Sequence, residues 1–460
     1  MANEDQSRKK LGSRLGFLLL SAGCAVGLGN VWRFPFITGQ YGGAVFVGFY
    51  LLFLLAVMPV LVMEFAVGRA SNRNLGLAFH RLEPAGTKWH AFGWISLAGS
   101  YILMMFYATV TGWFLLYCWY MASGQLAGLA PDAVASFFNG VLGRADMQVL
   151  GMTITVVLGF GVCAIGLRRG VERTVKFMML GLFALLIVLV ARSLMLPGAM
   201  EGVRFYLVPD LARAQEAGLW NVCSAAMNQA FFTLSIGIGS MAVFGSYLQK
   251  TRSLTGEAAV IIGLDTFVAV MAGLVIFPAC YAFGVKPGAG PGLIFISLPN
   301  VFNSMAGGQI WGTLFFIFMA FAALSTVIAV FENIISYSQD VWGMPRRRAA
   351  VLHMLLMWIC ALPCALGFNE LGFIKPFGGD SCILDLEDFI VSNNLLPLGS
   401  LLLALFCCWR RGWGWEGFIA EVDSGTGMKF PRWMRFWATY GLPVFIVVLF
   451  IVGYADKFCK

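Results

Sequence analysis

Apolar residues occur along this chain in long blocks rather than in an alternating or one-sided pattern. LLFLLAVMPVLVMEFAV, Leu51 to Val67, carries a single charge in seventeen residues, and runs of that kind recur almost to the end. A helix that crosses a bilayer needs roughly 20 mostly apolar residues. Eleven runs meet the criterion: 14–37, 42–68, 89–122, 147–167, 174–196, 219–248, 257–284, 309–341, 349–367, 383–409 and 436–455. The predicted fold is an all-α polytopic membrane protein, a single transmembrane domain. No signal peptide is expected, because the first run leads into the second without a cleavage site that fits.

Two of the runs are interrupted. AVGLGNVWRFP, Ala25 to Pro35, should be mid-membrane helix, yet it holds two glycines, an asparagine and an arginine. The sixth run, NQAFFTLSIGIGSMAVFGSY from Asn228 to Tyr247, is broken by Thr233, Ser235, Gly237 and Gly239. The two breaks occupy corresponding places if the chain is two repeats of five spans, about 14–196 and 219–409, followed by an extra helix at 436–455. Unwound backbone is tolerated at membrane depth only where it lines a cavity, and a matched pair of interrupted helices points to a transporter site near the midplane. Either break alone is also explained by glycine permitting close helix packing.

Composition agrees: 59% hydrophobic and 12% charged residues with a mean hydropathy of +0.81 describe a membrane protein. The charge of +8 is a topology signal. With the N-terminus inside, 22 of 31 basic residues fall in cytoplasmic segments, among them Arg8, Arg69, Arg168, Arg346 to Arg348 and Arg410. A plasma-membrane protein with a cytoplasmic N-terminus is expected, with lipid as a partner and no nucleic acid. The eleven cysteines show no metal spacing, and His80, His90 and His353 share no ligand pattern. Enzyme chemistry finds no motif either: there is no nucleophile elbow, no HExxH and no phosphate loop.

AVGLGNVWRFP, the YGG of Tyr41 to Gly43, MEFAVGR at Met63 to Arg69, FFTLSIGIG in the sixth run and AALSTVIAV in the eighth appear in one order. In that order they resemble the neurotransmitter:sodium symporter family, in particular its bacterial amino-acid transporters with the leucine-transporter fold. Many family members have twelve spans against the eleven expected here. The resemblance implies a sodium-coupled amino-acid symporter, with two sodium ions as co-substrates and a small amino acid as cargo.

A broken helix presents free carbonyls at the end of its first half and free N–H groups at the start of its second, which suit a cation and an anion. By resemblance, the N–H groups near Leu28 and Gly29 take the substrate carboxylate and Tyr107 adds its hydroxyl; on its own Tyr107 reads as a packing aromatic. The first sodium site would use the Ala25 carbonyl, Asn30, Thr233 and Asp265 together with the substrate carboxylate. The second would use carbonyls of Gly23, Val26 and Ala322 with the hydroxyls of Ser325 and Thr326. Adjacent hydroxyl residues in a helix bond their own carbonyls about as readily. The side-chain pocket implied is Leu103, Phe232, Ser235, Ile238, Thr326 and Val330, uncharged throughout, so a charged substrate side chain would be buried without compensation. A neutral hydrophobic amino acid is expected. Ile238, where leucine-transporting relatives carry phenylalanine, leaves room for aromatic side chains.

Resemblance also implies gates: Arg33 with Asp388 outside, Arg8 with Asp340, Ser246 and Tyr247 inside. Terminal charges that only anchor helices in headgroups account for Arg8 nearly as well. Glu64, an acid inside PVLVMEFAVGR, is expected to accept hydrogen bonds from the unwound backbone of the first span. Glu332 receives no role. In the fifth span, Leu180 follows Gly170 where some bacterial relatives carry a proline that helps the helix unwind. Asp265 stands where leucine-transporting relatives place asparagine, and Ala269, one turn on, supplies no acid. Asp265 would therefore carry the negative charge that chloride supplies in other members, making transport chloride-independent and the return step open to a proton. The rival reading is a transporter-like sensor or substrate-gated channel without coupled flux.

Overall fold

The computed structural model describes residues 10–285 and 292–458. Among them the secondary structure is helical, apart from one isolated bridge between Arg252 and Thr426. Helix is what lipid demands, since it satisfies every backbone N–H and C=O within one segment. Among the described residues nine helices are long and apolar enough to cross a membrane, from Ala44–Ser71 to Met434–Ala455. The bent pair Arg14–Ala25 and Gly29–Gln40, whose axes differ by 52°, meets the same criterion when taken together as one broken span. The sixth expected run is two helices, Leu219–Thr233 and Ser240–Tyr247, separated by six residues that are not helical. The spans are called first to eleventh below in chain order, with these two broken ones as the first and the sixth.

Position in the bundle is readable from burial. In the eighth span, Gly308–Trp342, 83% of the most apolar window is buried, against 33% in the fifth, Leu167–Leu194, so the eighth is interior and the fifth faces lipid. Exposed Phe177, Ile187 and Leu55 lie on the lipid side, where apolar exposure carries no penalty. Small residues let backbones close up: a Cβ on Gly112 of the third span, Trp89–Ala122, would lie 2.5 Å from the Gly151 carbonyl carbon of the fourth, Ala145–Ile165.

The loops hold helices that the sequence criterion did not anticipate, because they are shorter than a membrane crossing: Leu75–Leu82, Pro131–Gly143, Ala199–Leu207, Leu211–Glu216, Leu298–Asn303 and Trp415–Val422. The fifth span opens with a π-helical turn, Leu167–Glu172, that contains Gly170 and runs straight into Arg173–Leu194. An irregularity is thus present at the start of the span without the proline.

Candidate functional site

The two breaks face each other inside the bundle. Gln229 Nε2 donates to the Gly29 carbonyl at 2.7 Å and Ser235 Oγ to the Cys24 carbonyl at 3.3 Å, so side chains of the sixth span satisfy carbonyls of the first. The sixth-span break is made by left-handed backbone, with φ of 50° at Ser235, 95° at Gly237 and 89° at Gly239. In the first span the requirement on Gly27 is space: a Cβ there would meet Tyr107 Oη at 2.2 Å and Thr326 Oγ1 at 2.4 Å.

Asn30, Thr233 and Asp265, expected to share a sodium ion, do lie together. Thr233 Oγ1 is 3.2 Å from Asn30 Oδ1 and 3.2 Å from both oxygens of Asp265. Asn30 Nδ2 donates to Asp265 Oδ1 at 2.9 Å, and Tyr50, which the sequence gave no reason to single out, donates its hydroxyl to Asp265 Oδ2 at 3.1 Å. Asp265 is fully buried, and no basic side chain among the described residues pairs with it. When ionised, an acid surrounded by neutral donors in a low-dielectric interior is short of one positive charge, which a cation or a proton would supply.

The second expected cluster also converges. Ser325 Oγ lies 3.0 Å from the Gly23 carbonyl and 2.9 Å from that of Ala322; Thr326 Oγ1 lies 3.1 Å from Gly23 O, 3.5 Å from Val26 O and 3.5 Å from Ala322 O. Both hydroxyls bond their own helix and also cross to the first span. Five neutral oxygens around one point can take a hard cation once the hydroxyl hydrogens turn away.

Beside these clusters lies a cavity of about 10 Å³, lined by Ala25, Gly29, Leu103, Tyr107, Phe232, Ser235 and Thr326 as expected, and by Cys24, Gly27 and Leu396, which were not. That is room for one water. Ile238 and Val330 are buried but outside this lining, because Ile238 already belongs to the turn that re-enters the sixth span, its carbonyl held by Ser96 and Asn333. Leu28 N–H donates to Tyr107 Oη at 2.9 Å, so the tyrosine hydroxyl sits at the amide expected to face a carboxylate.

Above the cavity a vestibule of about 720 Å³ opens between the first, sixth and tenth spans. Phe232 lines both spaces and separates them. Arg33 lies over its ring, 4.4 Å from the centroid. Arg33 is 3.7 Å from Asp388, and Ser392 bridges the pair, accepting from Arg33 at 3.0 Å and donating to Asp388 at 2.7 Å. Ser392 stands one helical turn after Asp388, a spacing that could have flagged it.

One expectation needs correction, and residues left without a role find partners. Glu64 does not support the first span: its Oε1 accepts from Gly237 N at 2.7 Å and Gly239 N at 3.1 Å, in the break of the sixth. The reason is that the half-helix Ser240–Tyr247 begins there with unpaired N–H groups, which favour an anion. Glu332 does have partners: it accepts from Tyr247 Oη at 2.8 Å and from Arg346 Nη1 at 3.0 Å, while Arg346 Nε holds the Cys163 carbonyl at 2.6 Å. This ties the basic-side ends of four spans. His80 and His90, apparently unrelated in sequence, both contact Glu83 Oε1, at 3.3 and 2.6 Å. Partial burial opposes the charge on Glu83, but the hydrogen bonds from His90 and His80 outweigh it and hold the carboxyl below its ordinary range.

At the end of the bundle that carries the basic loops, Asp340 is held by Arg73 at 3.2 Å and by the Asn74 N–H at 2.7 Å. Arg8, its expected partner, lies outside the described residues. Lys10 reaches the Ser246 carbonyl at 3.1 Å, and Ser246 Oγ donates to Val243 O at 2.5 Å.

A model of the sodium:neurotransmitter symporter family matches residues 8–129 and 138–458. An uncharacterised sodium-dependent transporter of Bacillus subtilis is 34% identical over 97% of this chain and 98% of its own. The sodium-dependent serotonin transporter of Drosophila melanogaster is 27% identical over 98% of this chain and 78% of its own. Among solved structures, the crystal structure of MhsT in complex with L-phenylalanine superposes with a TM-score of 0.87 at 36% identity, covering 97% of this chain and all of that one.

Proposed function

Since this chain belongs to the sodium:neurotransmitter symporter family, we propose that this sodium-dependent transporter imports a neutral hydrophobic amino acid, aromatic ones included, by sodium-coupled alternating access without chloride. The observation that carries the reading is the meeting of Asn30, Thr233 and a buried, cation-deficient Asp265 at the junction of two broken helices. A sodium ion there restores the charge balance, and the substrate carboxylate completes its shell from the side of Leu28 and Gly29. The apolar lining of Leu103, Phe232 and Leu396 suits an uncharged side chain, and the likeness to a transporter crystallised with L-phenylalanine supports that substrate class.

A cavity with room for one water cannot hold an amino acid, so binding requires Phe232 and its neighbours to yield towards the vestibule. Sodium between the Gly23 and Val26 carbonyls and the Ser325 and Thr326 hydroxyls would brace the first span against the eighth and favour the outward-open form. Substrate then closes Arg33 onto Asp388, and release inside requires the ties of Asp340 and Glu332 to part. Each ligand drives the cycle only through its different affinity for the two forms. The N-terminus and the basic loops face the cytoplasm in this reading.

The test is uptake into proteoliposomes under an imposed inward sodium gradient, with leucine, methionine, phenylalanine, tyrosine and tryptophan as cargo. Accumulation above equilibrium that collapses when the gradient is dissipated is expected. Binding without accumulation would identify a sensor, and flux that only equilibrates would identify a channel.

A further inference from the structure

The tenth span, Ile383–Cys408, and the eleventh, Met434–Ala455, are joined at the end of the bundle that carries the basic loops. Between them and the short helix Trp415–Val422 lies a cleft of about 960 Å³, separate from the transport path. Its charges are Arg410, Arg432 and Arg435 against the single acid Glu416. Arg435 is 4.0 Å from Glu416, with its guanidinium 5.6 Å from the Trp415 ring centroid. Arg410 and Arg432 are exposed and have no ion pair or side-chain hydrogen bond to any described residue. Beside them Trp433, Phe436 and Tyr440 stand 72%, 74% and 63% exposed, at the start of the eleventh span. Rings of this kind belong at the headgroup level, and planar guanidinium forks match phosphate oxygens in pairs.

We propose that this cleft binds an anionic phospholipid, with Arg410 and Arg432 on the phosphate and Trp433, Phe436 and Tyr440 against the glycerol and upper acyl chains. Charge complementarity selects the anionic headgroup, because a zwitterionic one would bring a cation among three arginines with one acid to meet it. The bound lipid also braces the closed inner side. Helix Trp415–Val422 carries cleft residues at its start and Glu421 at its end. Glu421 receives Arg69 of the second span at 2.6 Å, a fully buried guanidinium, and Lys250 after the sixth at 2.7 Å. Arg69 further donates to the Arg252 carbonyl at 2.7 Å. One eight-residue helix therefore connects the lipid cleft to the loops that bound the inner ends of three spans. The lipid's headgroup, held at one end, limits how far the other can move.

Native mass spectrometry of the full-length protein in detergent, with added dioleoyl phosphatidylglycerol or dioleoyl phosphatidylcholine, tests the binding. Retention of phosphatidylglycerol over phosphatidylcholine is expected, undisturbed by millimolar inorganic phosphate. R410Q/R432Q should lower that retention about thirtyfold, and R410K/R432K should restore part of it. Equal retention of the two lipids, displacement by inorganic phosphate alone, or unchanged retention in R410Q/R432Q would each overturn the proposal. Binding is read without transport, so failure of the symport reading would leave this result standing. Phosphatidylglycerol in the vesicles should change sodium-driven uptake by the parent and not by R410Q/R432Q; an equal change in both would overturn the brace.

Discussion

Replacing Glu64 by alanine removes the side-chain acceptor of the Gly237 and Gly239 N–H groups, which are buried where the sixth span breaks. Hydrogen bonds to a charged acceptor contribute about 1.5–3 kcal/mol each, so the two together amount to roughly 3–6 kcal/mol. The carboxylate also faces the start of Ser240–Tyr247, an interaction worth about 0.3–2 kcal/mol. Glutamine at position 64 keeps a carbonyl oxygen for the same two N–H groups, loses the charge and places an amide NH2 where the second carboxylate oxygen is buried without a partner. With both bonds about half as strong and the helix-end charge gone, it should cost roughly 2–4 kcal/mol, less than alanine. Thermal unfolding of the purified protein, followed with sodium-dependent substrate affinity on the same preparations, should rank parent, Glu64→Gln and Glu64→Ala in that order. Alanine within about 1 kcal/mol of the parent, or glutamine as damaging as alanine, would show that this carboxyl does not hold the break together.

Asn30→Ala and Thr326→Ala should weaken substrate binding in a way that shrinks as sodium rises; affinity measured across sodium concentrations and found parallel to the parent would remove both from the ion sites. Asp388→Ala, with Ser392→Ala as its milder counterpart, should leave equilibrium binding largely intact and slow uptake, read by scintillation binding and vesicle flux on one preparation, whereas parallel loss of both would speak against a gate. Asp265→Asn should make uptake chloride-dependent while the parent is indifferent to replacing chloride with gluconate, and a parent that loses transport in gluconate would refute the charge assignment. Glu332→Ala strands Arg346 in a mostly buried position and should destabilise the protein by about 3–5 kcal/mol, more than Tyr247→Phe, which removes one hydrogen bond to the same carboxylate, worth about 1.5–3 kcal/mol; equal losses in denaturation would contradict that ordering.

Spans, breaks and family were legible in the chain because they depend on local properties. Lipid forces every crossing into helix, so Leu51 to Val67 needs no neighbour to be read, and the same constraint makes Gly27, Ser235 and Gly237 conspicuous where helix should continue. Charge counting along the loops is equally local. Asn30, Thr233 and Asp265 came from motif positions, and they do lie in contact. What the chain could not reveal is which distant group answers which. Glu64 lies closer in sequence to the first break than to the sixth, yet the orphaned N–H groups at Gly237 and Gly239 are the stronger attraction for an anion, and only packing brings them to it. Tyr50 on Asp265, Arg346 on Glu332 and Arg69 on Glu421 are pairings across 215, 14 and 352 positions; no periodicity connects their partners. Leu396 reached the cavity for the same reason. Burial makes these pairings obligatory, because a polar group removed from water must find a partner, but which partner is near depends on how helices cross, and that is a property of the assembled bundle.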